Sequence, residues 1–184
     1  LDEQAIQTNN DTLVVAGGME SMSNCPYLLA KARAGYRLGH GELLDTMITD
    51  GLWDAYENFH MGMTAELVAE KYNIGREEQD RYALESHRRA VAATKEGRFA
   101  PQILPVEIPQ KKGPAIVVDK DESPREDTSL EALAKLAPAF KKDGTVTPGN
   151  APGLNDGAAA LVVTSESWAK KNGKPPLARI VSQA

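Results

Sequence analysis

Apart from the carboxylates, the sequence has few side chains that act as nucleophiles or acid–base groups near neutral pH: one thiol, Cys25, and three imidazoles, His40, His60 and His87. A nucleophilic cysteine needs thiolate character, which a neighbouring base or positive charge supplies. Asn24 and Pro26 supply neither, and no recognised spacing pairs Cys25 with a histidine. Cys25 is therefore expected to be a small packed residue. A single cysteine also excludes an internal disulfide and a cysteine-rich zinc site. His40 lies between two glycines and suits a turn. His87 falls in a charged helical pattern and is expected at the surface. His60 keeps different company, because "FHMGMTAE" sets an aromatic, an imidazole, a thioether and a glycine at the start of a helix. Free N–H groups there, with the adaptable Met61, would suit a long, thin, partly polar ligand. Packing of the same residues in a core is the alternative reading.

A second feature is "TVTPGNAPGLNDGAAALVV", Thr145 to Val163, with Pro148, Pro152, Gly149, Gly153 and Gly157 ahead of an apolar run. Glycine permits close backbone approach and proline fixes φ, so the segment reads as a shaped turn. It contains neither a Walker-type phosphate loop nor G-x-G-x-x-G, so a nucleotide cradle of those kinds is not expected. A tight turn feeding a buried strand, Ala158 to Thr164, is the plain reading, and a surface built to sit against a ligand is the functional one.

The elements that must position these residues follow from periodicity. Thr12 to Ala16 reads as a buried strand broken at Gly17-Gly18, and Met19 to Pro26 as a loop. Tyr27 to Asp50 suggests an extended, hairpin-like arm with Gly39 or Gly41 at its bend. Met61, Ala65, Val68 and Tyr72 give one apolar face to a helix over 61–72, ended by Asn73. Arg76 to Glu96 is an amphipathic helix, acidic at its start and basic later, with Gly97 as its stop. Ile103 to Ile108 and Ala115 to Val118 read as a hairpin. Thr128 to Glu131 forms a capping box for a short helix whose apolar face is Leu130, Leu133, Leu136 and Ala137, ended by Pro138. After Ala158 to Thr164, Ser165 or Glu166 starts a helix through Lys171, and a last strand begins beyond Pro175. Strand, helix and strand at the end make an α/β pattern, whereas the middle is mostly helical.

The bulk properties set outer limits. The chain has 184 residues, with 21 Lys and Arg against 26 Asp and Glu, the basic ones scattered. Neither nucleic acid nor membrane is an expected partner, since no basic footprint and no apolar run of ~20 residues occurs. The first residues are polar rather than signal-like, so a cytoplasmic location is expected. Both termini read as cut, which suggests a piece of a longer polypeptide.

Five blocks, "VVAGGMESMS", "GLWDAYENFHMGMTAE", "REEQDRYALESHRRAVAATKEGRF", "LAKLAPAFKKDGTVTPGNAPGLNDGAAALVV" and "LARIVSQA", in that order and spacing, resemble the middle portion of a thiolase, an acetyl-CoA acetyltransferase. The resemblance covers essentially the whole chain. It implies an α/β fold with five layers, α/β/α/β/α, made of two similar halves with an inserted loop domain that holds coenzyme A. Residues 1–23 would close the first half, 24–153 would be the loop domain with an oligomerisation arm at about 26–42, and 154–184 would open the second half. The family's nucleophilic cysteine lies ahead of the VAGGMESM block, and its catalytic histidine and second cysteine lie near the C-terminus. The resemblance therefore places no catalytic residue in this chain, and Cys25 matches neither cysteine.

It does imply ligand contacts. Leu52, His60 and Met61 match positions lining the pantetheine channel, Arg125 matches an arginine that packs on the adenine, and Phe140 matches another pocket wall. Pro148 and Pro152 belong to the wall over which the pantetheine arm passes. A guanidinium can stack on a purine while its charge stays near the phosphates. Three departures bear on this. Pro152 and Ala132 stand where relatives carry serines that can bond the ligand, and Ser123 replaces a tyrosine of a potassium site, so neither that ion nor any other metal is expected. No cofactor is expected, coenzyme A being a substrate. The implied activity is acyl transfer between acyl-CoA and CoA through an acyl-cysteine, in a homo-oligomer, dimer or tetramer. A non-enzymatic CoA-binding or assembly module is the alternative.

Overall fold

The computed structural model describes residues 2–182. In chain order the elements are α1 (Asp2–Gln7), β1 (Leu13–Glu20), β2 (Tyr27–Leu28), β3 (Leu44–Asp45), β4 (Trp53–Asp54), β5 (Phe59–His60), α2 (Met61–Tyr72), α3 (Arg76–Lys95), β6 (Val106–Ile108), β7 (Ile116–Val118), α4 (Leu130–Ala134), β8 (Gly157–Thr164) and α5 (Glu166–Lys171). They divide into two compact units, Leu1–Cys25 with Leu154–Ala184, and Pro26–Gly153.

The first unit is built on one antiparallel ladder, β1 with β8, in the register Leu13↔Thr164 to Glu20↔Gly157. The expected break at Gly17-Gly18 does not occur. Gly17 lies in the ladder opposite Ala160, where a Cβ would stand 2.5 Å from the Ala159 carbonyl oxygen. The glycine thus permits close strand approach and makes no turn. β8 is expected to be buried, yet Leu161 and Val162 are exposed, because its ladder has a single partner strand among the described residues. Ser165 caps α5, its side chain accepting from the Trp168 N–H, as the sequence suggests. No strand forms over residues 175–182, and Gln183 and Ala184 of the expected last strand lie outside the described residues.

In the second unit the arm is pinned at its base by two ladder pairs, Tyr27↔Asp45 and Leu28↔Leu44. It continues as turns rather than as a long hairpin, with Gly35 and Gly39 at positive φ. α2 and α3 fall where the periodicity predicts, and Asn73 ends α2 in the left-handed region. The buried face of α2 differs from the expected one. Met61, Val68 and Tyr72 are each about half-exposed or more, while Glu66 and Ala69 are buried. The segment packed there, Thr145 to Val146, turns its backbone N–H donors toward α2, so a carboxylate faces it. β6 and β7 form the expected hairpin. The cap of α4 is Ser129, not Thr128, since its side chain accepts from the Ala132 N–H; the helix stops at Ala134, ahead of Pro138.

Candidate functional site

His60 is fixed from both sides. Asp54 accepts the N–H groups of Tyr56 and Glu57, and Asn58 adopts positive φ, which turns the chain so that Trp53 of β4 pairs with His60 of β5. His60 then has extended backbone and caps α2, its Nδ1 accepting the Gly62 N–H at 3.0 Å. The bond requires Nδ1 to be unprotonated, so the neutral ring carries its proton on Nε2, an edge able to donate. The Phe140 ring stacks on the imidazole with centroids 4.8 Å apart and planes 26° from parallel. Gly62 makes room for it, since a Cβ there would overlap the Phe140 ring. Leu52, half-buried at the end of a wide helical turn, Met47–Leu52, directly precedes β4, and Met61, half-exposed, directly follows His60. The structure therefore brings Leu52, His60, Met61 and Phe140 to one corner of the unit.

The glycine-rich stretch is held beside that corner by polar groups. The Ala139 N–H donates to the Val146 carbonyl, closing the loop that carries Phe140. Glu66, 3% exposed, accepts from both N–H groups of Thr145 and Val146 and from the Thr145 hydroxyl, all at 2.8–3.0 Å. Burial pushes its carboxyl up, but these bonds and the nearby Lys141 charge outweigh it and hold the group below the ordinary glutamate range. Gly144 lacks a Cβ where one would meet Glu66 Oε1. A second anchor runs through Asp80, also 3% exposed. It accepts from Arg76 Nε at 2.7 Å and from Asn150 Nδ2 at 3.0 Å, and Arg76 reaches on to the Leu133 and Leu136 carbonyls. Thr147 is fully buried, bonded to Asn150 and Gly149. Pro148 and Pro152 stand exposed at the rim of this turn. Among the described residues no group of His, Cys, Asp and Glu side chains is placed to hold a metal.

Arg125 lies between β7 and α4 of the same unit. Its guanidinium forks onto Asp127, Nε to Oδ1 and Nη2 to Oδ2 at 3.3 Å each, and its side chain is 66% exposed. The hydrogen bonds between the two side chains, then the opposite charge of each partner, raise the arginine and depress the aspartate. His87, expected at the surface, is half-buried and accepts the Arg125 N–H. Cys25 is half-buried, its Sγ 3.6 Å from the Ser21 carbonyl oxygen.

A sequence model described as thiolase, N-terminal domain, matches residues 2–167. The chain belongs to the thiolase family. It is 54% identical over its whole length to acetyl-CoA acetyltransferase of Pseudomonas aeruginosa, covering 47% of that protein. A probable acetyl-CoA acyltransferase of Staphylococcus aureus is 53% identical over 95% of the chain. Its structure matches that of acetyl-CoA acetyltransferase from Syntrophomonas wolfei with a TM-score of 0.86 at 50% identity, covering 95% of this chain and 43% of that one. The fold is accordingly the thiolase-like α/β fold, in part, and the chain spans about half the length of the curated relatives it matches.

Sequence reasoning missed the anchoring residues: Glu66, Asp80, Arg76, Asn150 and Thr147. The one available signal was the i, i+4 pair Arg76–Asp80, which reads equally as a solvated helix pair.

Proposed function

We propose that this chain is the central part of an acetyl-CoA C-acetyltransferase that moves acyl groups between acyl-CoA and CoA. The reaction is either Claisen condensation of two acetyl-CoA or thiolysis of a 3-ketoacyl-CoA. The identity of 54% along the entire chain to a protein named for that activity carries the reading. Nucleophile, base and second cysteine fall outside these residues, and the chain's own part is to hold the ligand. The His60–Phe140 corner, with Leu52 and Met61, takes the pantetheine arm on apolar and ring surfaces and offers it one donor edge. The rigid Thr147–Asn150 turn, with Pro148 and Pro152 at its rim, forms the wall along that arm. Arg125 takes the adenine end, its guanidinium face open because Asp127 binds it edge-on. Residues 24–153 are then the loop domain between two core halves. The arm at 26–42, with Tyr36 and the fully exposed Leu38, is the surface through which dimers become a cytoplasmic tetramer.

The test is thiolysis of acetoacetyl-CoA by the complete protein, followed at the thioester absorbance. Turnover that is lost with a thiol-blocking reagent, and absent from the 184-residue chain alone, is the expected result. CoA binding without turnover by the complete protein would instead identify a binding module.

A further inference from the structure

We infer that His87 is a positioning residue for Arg125, holding the backbone from which the guanidinium projects. The inference rests on the reading that Arg125 meets the adenine end of CoA. Arg125 lies in a segment without helix or strand, and its side chain, 66% exposed, bonds forward along its own loop to Asp127. A fork onto a residue two positions away fixes the guanidinium relative to the loop. It does not fix the loop relative to the protein. Two contacts with α3 do that. His87 Nδ1 accepts the Arg125 N–H at 3.2 Å, and Lys95 Nζ donates to Glu126 Oε2 at 2.9 Å.

The two contacts are unequal. The Lys95–Glu126 pair joins two flexible side chains that are 63% and 66% exposed, a geometry that salt and solvent weaken. The His87 bond reaches the main chain of Arg125 itself, from a half-buried ring with two rotatable bonds on a 20-residue helix. His87 thus sets the point from which the arginine side chain starts. The Asp127 fork then sets its plane, and the exposed face is what a purine would meet. Without His87 the loop retains its internal fork and loses its fixed position, so affinity for the adenine end falls while the chemistry at the thioester is untouched. That is a uniform-binding effect, visible in KM and not in kcat.

The experiment uses the complete enzyme with acetoacetyl-CoA and with acetoacetyl-pantetheine, which lacks the adenine end. H87A should raise KM for the CoA substrate about 2- to 10-fold, the range one net hydrogen bond spans, at unchanged kcat. KM for the pantetheine substrate should not move. H87N should recover most of the loss, since the Asn Oδ1 sits where Nδ1 does and accepts the same N–H. R125A should raise KM for the CoA substrate, and H87A added to it should have little further effect. If R125A raises KM and H87A does not, the positioning role is overturned while the Arg125 reading stands. Failure of R125A itself to distinguish the two substrates overturns the Arg125 reading, and the His87 role with it. An equal loss on both substrates in H87A, or no recovery in H87N, assigns His87 to general stability and overturns the inference.

Discussion

Two carboxylates hold the two ends of the glycine-rich stretch with the same chemistry in opposite surroundings. Glu66 receives two N–H groups and a hydroxyl from Thr145 and Val146 and is 3% exposed. Asp156 receives the Ser23 N–H at 2.9 Å, the Ser23 hydroxyl at 2.8 Å and the Ser21 hydroxyl at 3.3 Å, and is solvent-exposed. Bond count and geometry are nearly matched. The difference lies in what replaces each bond when it is lost. Water takes over the donors at Ser21 and Ser23, whereas the N–H of the buried Val146 would remain unsatisfied. Burial, more than bond number, sets what such a latch contributes.

The largest effect should come from E66Q, which keeps the shape but turns an amide NH2 toward donors. We expect a loss of about 2–3 kcal/mol in urea denaturation. Because the fold holds Glu66 below its ordinary value, its contribution is complete above the carboxylate range and disappears as pH falls through the lowered value. The gap between wild type and E66Q should therefore close progressively below about pH 4. A gap independent of pH would show that the charge is not what stabilises the latch.

An intermediate effect is expected from G62A, which alters packing and leaves both carboxylates alone. Its methyl would occupy the space of the Phe140 ring, so we expect about 1–3 kcal/mol of destabilisation from overpacking. KM for acyl-CoA should rise as the stack on His60 is displaced. Retention of both wild-type stability and KM would mean that Phe140 can move aside without consequence. The smallest effect belongs to D156N, with a melting temperature within about 2 °C of wild type, as for ordinary surface substitutions. Asp156 is also depressed, by the Ser23 backbone bond first, but its exposure leaves water as a ready substitute. A loss matching that of E66Q would dissolve the contrast between the two latches.

The sequence made the local elements legible where one residue's own chemistry decides them. Asn73 and Gly97 stop their helices at positive φ, and Ser165 caps α5. Reading failed where a distant partner decides. The apolar stripe of α2 is open and its Glu66 buried, because the partner is a pair of N–H groups from 79 residues away. Gly17-Gly18 reads as a break, yet at Gly17 the facing strand requires a residue without a side chain. For the site, the motif blocks brought out His60 and Phe140, which stack, Met61, which directly follows His60, and Arg125, which bonds His87 and Asp127. The polar groups that hold the wall carried no sequence pattern, since a buried glutamate and a solvated one look alike in a helix.

The separation of Glu66 from Thr145 by 79 residues also has a consequence in chain entropy. α2 and α3 are short-range structures that can form within microseconds, whereas the latch must close a long loop before any of its bonds contribute. Closure entropy grows only logarithmically, by about 0.6 kcal/mol for each doubling of loop length. The intervening chain, including the exposed β6–β7 hairpin, could therefore be lengthened at little thermodynamic cost while the wall beside His60 keeps its shape. The latch separates the geometry of the ligand wall from the length of the chain that returns to it.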